Sequence, residues 1–477
     1  MAASMEVLTA SRRVFAIFSR KSVPAFANFS VISRKEHSGS TCNDQDYDII
    51  VTGGGMVGTT MACALANNRQ LESKRILLLE GGKPHSYVPR EKYSNRVVAL
   101  NQQTRLLLSS IGAWQHIEAV RYAPVRKMQI WDACSDAIIT FNEDHLAEEL
   151  AYIVENDLLL YAVNKVLVEK PVQVIHNARV ENISLPKVHG ESSKIVLQSG
   201  EQFTAKLLIG ADGVYSRVRE AMGVQYVKWD YDQMGIVATL KLSEPTENIV
   251  AWQRFLSTGP VALLPLTDSL SSLVWSVTTN EAKRLLKLPE EEFVDALNNA
   301  LWKVHPKNGI IESGMKALQQ LLEGLSLQTG IARQLQPSVA SIEEGSRAAF
   351  PLGFGHSVFY AKPGVVLVGD AAHRVHPLAG QGVNLGFGDI TVLVQMLSEA
   401  VRCGSLLADI MFLTKYETQR QRHNVPTMLA IDALHRLYKG TAAPVVLARS
   451  LGLQLTNALP PLKRAIMEHA SDLNAPR

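Results

Sequence analysis

Runs of apolar residues with two different periods divide this chain into elements. Tyr47–Val51 and Ile76–Leu79 are short continuous apolar runs, the signature of strands buried on both faces. Between them Thr59–Ala66 carries small residues at helical spacing, so the three make a βαβ unit. Arg96–Trp114 reads as helical around Leu106–Leu108 and Ile111, and Tyr152–Val168 as a helix with apolar positions at i, i+3 and i+4. Arg126–Phe141 alternates apolar and polar residues, as a strand pair would. Val172–His176, Lys194–Leu197 and Thr204–Ile209 read as further strands. Alternation returns in Ile236–Leu242, Pro260–Pro265 and Ser272–Thr278, with a helix-forming stretch around Glu290–Leu301. Beyond Asp389 long helical patterns run to the end, broken at Pro444 and Pro460-Pro461. No internal repeat or low-complexity tract interrupts this order.

These elements imply an α/β nucleotide-type domain with an inserted antiparallel sheet and C-terminal helices. The expected boundaries are 1–42 as a disordered leader, 43–225 as the first part of the nucleotide domain, with sheet strands near 126–141, and 226–346 as the inserted sheet. The nucleotide domain resumes at 347–435 and helices occupy 436–477. The 477 residues suffice for two or three ordinary domains.

Charge changes the picture at one end only. Residues 1–42 carry six basic and two acidic residues, so the net +3 of the chain leaves its body at −1. A near-neutral body gives no reason to expect nucleic acid. The Arg- and Ser-rich leader, with Phe15, Ile17 and Phe18 near its arginines, fits an organellar transit peptide, and a disordered basic tail is the plainer reading. No apolar stretch is long enough to cross a bilayer. Cys42, Cys63, Cys134 and Cys403 are scattered, without metal-ligand spacing, so no metal site is expected.

Three motifs carry chemistry. Gly53, Gly55 and Gly58 follow the first strand and open the first helix, and Glu80 ends the second strand. Such glycines make the turn, admit a pyrophosphate and allow close helix–strand packing, while the acid meets ribose hydroxyls. This motif alone does not choose FAD over NAD. Next, Leu207–Ile209 leads into Gly210-Ala211-Asp212-Gly213, followed by Ser216 and Arg219. An ordinary Asp-Gly turn would explain that segment by itself. The third motif is VVLVGDAAHRVHPLAGQGVNLGFGD, Val365 to Asp389. Its strand ends in Gly369-Asp370, and Pro377 and Gly380-Gln381-Gly382 with Asn384 open a new helix. Glycines ahead of a helix expose backbone N–H groups at the positive end of its dipole.

In this order the motifs resemble the flavoprotein aromatic hydroxylases, the single-component class A monooxygenases. Tyr93–Arg96, Trp131–Ser135, Tyr152–Asp157, Tyr231–Gln233, Ala251–Phe255, Gly259-Pro260, Ala262–Leu266, His373–Asn384 and Tyr416–Asn424 narrow the resemblance to the ubiquinone-biosynthesis hydroxylases. Within that group the chain is most similar to the mitochondrial branch that hydroxylates ring position C5. The resemblance runs from about Tyr47 into the C-terminal helices.

It implies a Rossmann-like FAD-binding domain with an inserted antiparallel substrate sheet, and FAD as cofactor. Gly53, Gly55, Gly58, Glu80, Arg96, Asn156, Asp212, Gly213, Asp370, Gly382 and Asn384 would bind it. Pro377, Gly380, Gln381 and Gly382 would face the isoalloxazine ring, with no general acid or base assigned. Oxygen transfer would proceed through the C4a-hydroperoxide of reduced flavin. His373 and His376 lie in the same motif, and a packed, hydrogen-bonded role is the plainer reading of each.

Trp252, Phe255, Gly259, Pro260 and Leu264 would wall a substrate pocket, or simply be core. The implied substrate is a polyprenylated 4-hydroxybenzoate, with O₂ as co-substrate. Electrons would come from ferredoxin and its reductase or from NADPH; the sequence allows both. The resemblance further implies a multi-protein ubiquinone-synthesis complex at the matrix side of the inner mitochondrial membrane. Val445, Val446, Leu447, Leu451, Leu453 and Leu455 form a candidate peripheral contact, and ordinary helix packing is the competing reading. Two other functions stay open: a flavin-dependent prenyl-lipid reductase or oxidase, and a non-catalytic prenyl-binding scaffold.

Overall fold

A computed structural model describes residues 45–135, 137–142, 149–188, 190–304, 309–324 and 334–471. The expected leader at 1–42 lies outside these residues. Two large sheets organise the unit Gln45–Arg477.

The first sheet is built on five parallel strands, ordered Val365–Leu367, Gln202–Gly210, Asp46–Thr52, Ile76–Leu79 and Val172–Ile175. Ile49, Ile50 and Val51 are fully buried, as are Leu207, Leu208 and Ile209. Helices cover parallel strands, so their sequences read as continuous apolar runs rather than alternation. The helix Met56–Asn67 starts directly after the first strand. Its small residues Ala62, Cys63 and Ala64 are buried, as their size predicts.

The second sheet has nine strands. Its main path runs His373–Arg374, Ala348–Ser357, Tyr226–Leu242, Leu270–Thr278, Gly259–Pro265, Val250–Leu256, Lys127–Asp132, Ile138–Asn142. Neighbours are antiparallel except Val250–Leu256 beside Lys127–Asp132. A small third sheet pairs Ala151–Glu155 with Val97–Leu100 and Ala123–Val125.

Two segments read as helix are strand followed by helix. Val97–Leu100 precedes the helix Gln102–Ser110, which Asn101 caps by accepting the Thr104 N–H. Ala151–Glu155 precedes the helix Asn156–Leu167. In both, a β-branched pair (Val97-Val98, Ile153-Val154) and cross-strand pairing outweigh the helical spacing that follows. The expected boundary at 346/347 also shifts. Ala348–Ser357 and His373–Arg374 belong to the second sheet, so the polypeptide crosses between the sheets inside the third motif.

Candidate functional site

Close backbone approaches bring the three motifs together. A Cβ at Gly53, whose φ is +97°, would lie 2.4 Å from the Ala211 carbonyl oxygen. One at Gly58 would lie 1.8 Å from the Gly53 oxygen. The first two motifs therefore pack backbone to backbone, which only glycine allows. Gly369 and Gly386 lie against Val57, which joins the third motif to the same turn. Arg219 ties the two acidic turns together, donating to the carbonyls of Ala371 (2.8 Å) and Val214 (2.7 Å).

Gly55 differs from its neighbours: a Cβ there would meet nothing within 4 Å. It is the N-cap of the helix Met56–Asn67, which has no side-chain cap. The helix Gly382–Arg402 also starts uncapped, and Gly386 near its start lies against Val57 in the first turn of the other helix. Two helix N-termini with unsatisfied N–H groups near one another suit an anionic ligand.

The carboxylates split by role. Asp212 Oδ2 accepts from the N–H groups of Arg217 (2.7 Å) and Val218 (3.2 Å), while its buried Oδ1 has no partner. Burial holds the carboxyl above its ordinary value despite these bonds. Asp370 opens outward, yet desolvation by the protein around it raises its carboxyl, against the opposing charges of His373 and Arg374. Glu80 accepts from the N–H groups of Gly54 and Gly82, so it holds the turn as well as facing it.

Asp389 is fully buried. Its Oδ1 accepts from Arg420 Nε (2.7 Å) and Asn424 Nδ2 (3.3 Å), its Oδ2 from Gly369 N (2.8 Å) and His373 Nε2 (2.6 Å). Burial alone would push this carboxyl up, but His373 and Arg420 bring it down to about 2. His373 therefore serves the scaffold. Asp389, Arg420 and Asn424 carry no role in the sequence reading. The available signal is Arg420 and Asn424 at i, i+4 on one helix face, opposite an acid closing a glycine-rich run.

Arg96 and Asn156 meet: the Asn156 N–H donates to the Arg96 carbonyl at 3.0 Å, and buried Asn156 Oδ1 has no partner. The exposed Arg96 guanidinium lies 5.8 Å from the Phe350 ring. Asn384 is engaged within the protein. Its Oδ1 accepts from Asn101 N (3.0 Å) and Thr104 Oγ1 (2.9 Å), and its Nδ2 donates to Ala99 O (2.8 Å) and Gly380 O (3.3 Å). It thus fixes the Gly380 turn rather than offering a free amide. Gly380, at φ +62°, ends the 3-10 turn Pro377–Ala379, and Gln381 and Gly382 start the helix.

The expected substrate wall divides. Phe255, Pro260 and Leu264 share a sheet face, because Phe255 pairs with Pro260 and Leu264 lies two periods further along the same strand. Phe255 stacks on Tyr438 at 3.8 Å and clusters with Leu378 of the third motif. Leu264 clusters with Tyr93, Val97 and Ala99. Trp252 points the other way, into the core with Trp131, Trp275 and Phe293. Its assignment to the wall is corrected by the period of two: residues 252 and 255 cannot face one side of a regular strand. Gly259, at φ +138°, is forced by the Ser276 carbonyl, 2.3 Å from where its Cβ would be.

A depression of about 500 Å³ lined by Asn67, Gln70, Ser110, Gln395 and Arg402 lies at the opposite end of the helix Met56–Asn67 and is not part of this site. Among the described residues no group of three or more His, Cys, Asp or Glu could hold a metal ion. No helix among them is long and apolar enough to cross a membrane.

This geometry, a glycine cradle at two helix N-termini with an orphaned carboxylate oxygen beside it, is that of a dinucleotide-binding protein. The chain matches the FAD binding domain family over residues 46–313 and 343–428. It is 47% identical over 478 residues to the mitochondrial ubiquinone biosynthesis monooxygenase COQ6 of Danio rerio, covering 98% of this chain and 99% of that one. The Homo sapiens protein of that name is 49% identical over 450 residues, covering 92% and 96%. Solved structures share the fold at low identity. The p-nitrophenol 4-monooxygenase PnpA of Pseudomonas putida has a TM-score of 0.65 at 16% identity, covering 91% of this chain and 100% of that one. Pseudomonas aeruginosa PqsL with 2-aminobenzoylacetate has 0.61 at 19%, covering 86% and 99%.

The chain belongs to this FAD binding family. Within it, the chain groups with the ubiquinone biosynthesis monooxygenases, and its cofactor is FAD.

Proposed function

We propose that this chain is a mitochondrial monooxygenase of ubiquinone biosynthesis that hydroxylates C5 of a polyprenylated 4-hydroxybenzoate. The observation that carries the reading is near-full-length similarity to enzymes of that pathway, joined to a site whose free groups fit FAD. Gly55 leaves room for the pyrophosphate, with Gly53 and Gly58 shaping its turn. Glu80 and the free Asp212 Oδ1, presented by the Gly213 turn, accept ribose or ribityl hydroxyls. Asp370 accepts a further hydroxyl, and Arg96 with Asn156 Oδ1 completes the cofactor contacts. Asn384 acts by holding Gly380.

Reduced flavin, when bound, would supply two electrons to O₂, with one oxygen atom going to an electron-rich ring and the other leaving as water. The chain's own part is positional. Backbone N–H groups at Gln381 and Gly382 would meet negative charge on the reduced pyrimidine ring, as an oxyanion hole would, while Gly380, whose N–H donates to the Pro377 carbonyl at 3.0 Å, turns the chain into place. Pro377 would limit access beside the ring, and Phe255, Pro260 and Leu264 would line the apolar side and exclude water, while Gly259 shapes the turn against the Ser276 carbonyl. Ferredoxin with its reductase, or NADPH, supplies the electrons. The prenyl tail calls for peripheral attachment at the matrix face of the inner membrane, within a ubiquinone-synthesis complex. The stretch Val445–Leu455 contributes little to such attachment. Val446 is buried and Leu447 packs on Gly314, leaving Leu455 exposed.

The test uses Gly382→Trp, since a Cβ at Gly382 meets only Val375, at 3.8 Å. In cells lacking the protein, this variant is expected to leave ubiquinone absent and to accumulate the unhydroxylated prenylated ring. Feeding 3,4-dihydroxybenzoate should restore ubiquinone, because that precursor already carries the missing oxygen. Normal ubiquinone with a stable variant would sink the catalytic reading and favour the scaffold.

A further inference from the structure

His376 immediately precedes the Pro377–Ala379 turn and is fully buried. Its Nδ1 accepts the Leu378 N–H at 3.1 Å, two residues on. This is the geometry by which an Asn or Asp side chain closes an Asx turn, here made by an imidazole. Accepting at Nδ1 fixes the neutral tautomer with the proton on Nε2, and Nε2 has no hydrogen-bond partner. Burial, with His435 as a second cause, pushes the imidazole down to about 3, so it stays an acceptor across the working range.

The ring sits in an aromatic cage. Tyr231 meets it edge-on at 5.1 Å and His435 lies 4.7 Å away. The cage is anchored on Asp432, which accepts from Tyr231 Oη (2.8 Å), Trp229 Nε1 (3.2 Å) and Arg436 Nε (2.7 Å). Tyr231 stands in the irregular part of the long strand, where the register slips between Asp230 and Met234 and Asp232 takes φ +53°. The slip breaks the alternation of the strand at Tyr231. The substrate sheet and the helix Ile410–Lys439 thus converge on one imidazole, and that imidazole shapes the turn ending at Gly380.

We propose that His376 is a positioning residue for the flavin: by capping Leu378 it shapes the turn that Gly380 closes on the Pro377 carbonyl, and so sets the direction of the Gln381 and Gly382 amides. This rests on the reading that these amides face the isoalloxazine ring. An uncapped turn would aim them less well, weakening their hold on reduced flavin more than on oxidised flavin. The flavin midpoint potential then falls toward that of free FAD, and FAD binding weakens.

The experiment compares FAD-loaded wild type, His376→Leu and His376→Asn by flavin midpoint potential and FAD dissociation constant. His376→Leu keeps bulk but lacks an acceptor. Its dissociation constant should rise roughly five- to tenfold, the loss of one cap, with a more negative potential. His376→Asn restores an acceptor of the right reach and should return both values to wild type. A folded His376→Leu with wild-type potential would overturn the proposal, as would failure of Asn to rescue.

Should His376→Leu not fold, His376→Gln replaces it, because the longer amide is a poor cap. Equal potentials for the Asn and Gln variants would then be the contradicting result. The readout is the flavin itself, so a wrong substrate assignment would leave it unchanged and appear only in product analysis.

Discussion

The two sides of the site are specified by different physics. On the parallel-sheet side, backbone meets backbone, Gly53 against Ala211 and Gly58 against Gly53, and Gly369 takes the Val57 side chain at close range. Identity at these positions follows from space and φ, so the residues announce themselves. On the second sheet, position is set by alternation and register, which many side chains satisfy. Trp252 and Phe255 look alike along the chain, yet one is core and the other packs beside the third motif. The cofactor side is therefore brittle to single atoms, and the substrate side is brittle to register.

The sharpest way to break this contrast lies within the fingerprint itself. Gly58→Ala should abolish folded, flavin-bound protein, since its Cβ would sit 1.8 Å from a carbonyl oxygen. Gly55→Ala should leave the melting temperature of the FAD-free protein near wild type while lowering FAD affinity by orders of magnitude. Thermal denaturation with and without FAD measures both. Equal loss of stability in the two variants would remove the distinction between a packing glycine and a ligand glycine.

Two acids in the third motif extend the comparison. Asp389→Asn removes the countercharge of buried Arg420 and should cost about 3–5 kcal/mol in denaturant unfolding. Asp370→Asn should leave unfolding almost unchanged and weaken FAD binding roughly tenfold, the scale of a charged hydrogen bond. Equal costs in unfolding would contradict the separation into scaffold and ligand acids.

On the substrate side, Trp252→Ala should cost about 3–5 kcal/mol of stability, with KM for the ring substrate nearly constant. Phe255→Leu is expected to raise KM several-fold at a smaller stability cost. Steady-state kinetics beside unfolding curves separates them, and a KM rise in Trp252→Ala alone would reverse the assignment of faces.

One further expected effect is graded with pH. His356 and His376 are buried and held down to about 4 and about 3 by desolvation first, and His435 is lowered for the same reason. Below the unfolded value near 6.5 the unfolded chain takes up protons that the native state refuses. His356 and His376 each therefore remove about 1.4 kcal/mol of stability per pH unit as pH falls from about 6.5 toward the folded value, and His435 acts in the same direction. Replacing His356 with Gln should flatten that slope between pH 6 and 4; an unchanged slope would show that other groups set it.

This contrast also explains what could be read from the chain. The inner parallel strands, such as those carrying Ile49–Val51 and Leu207–Ile209, and the glycine turns stand out because burial on both faces and positive φ leave few alternatives. Asp212 and Asp370 are legible as acids at strand ends. Val97–Leu100 and Ala151–Glu155 were hidden because each is a short strand running straight into a helix whose spacing dominates the window. The face of Trp252 depends on a register that only the paired strand defines. The pairing of Asp389 with Arg420 and the His376 cage depend on contacts between distant segments; the i, i+4 spacing of Arg420 and Asn424 marks a helix face but not its partner.

The central claim, that this FAD site inserts oxygen into a prenylated phenolic ring, is tested most directly with purified FAD-loaded protein. The protein would be supplied with electrons, polyprenylated 4-hydroxybenzoate and isotopically heavy O₂. The account predicts a product carrying one heavy oxygen atom at ring C5. Flavin turnover that yields only peroxide or a reduced prenyl chain, with the ring unlabelled, would contradict it.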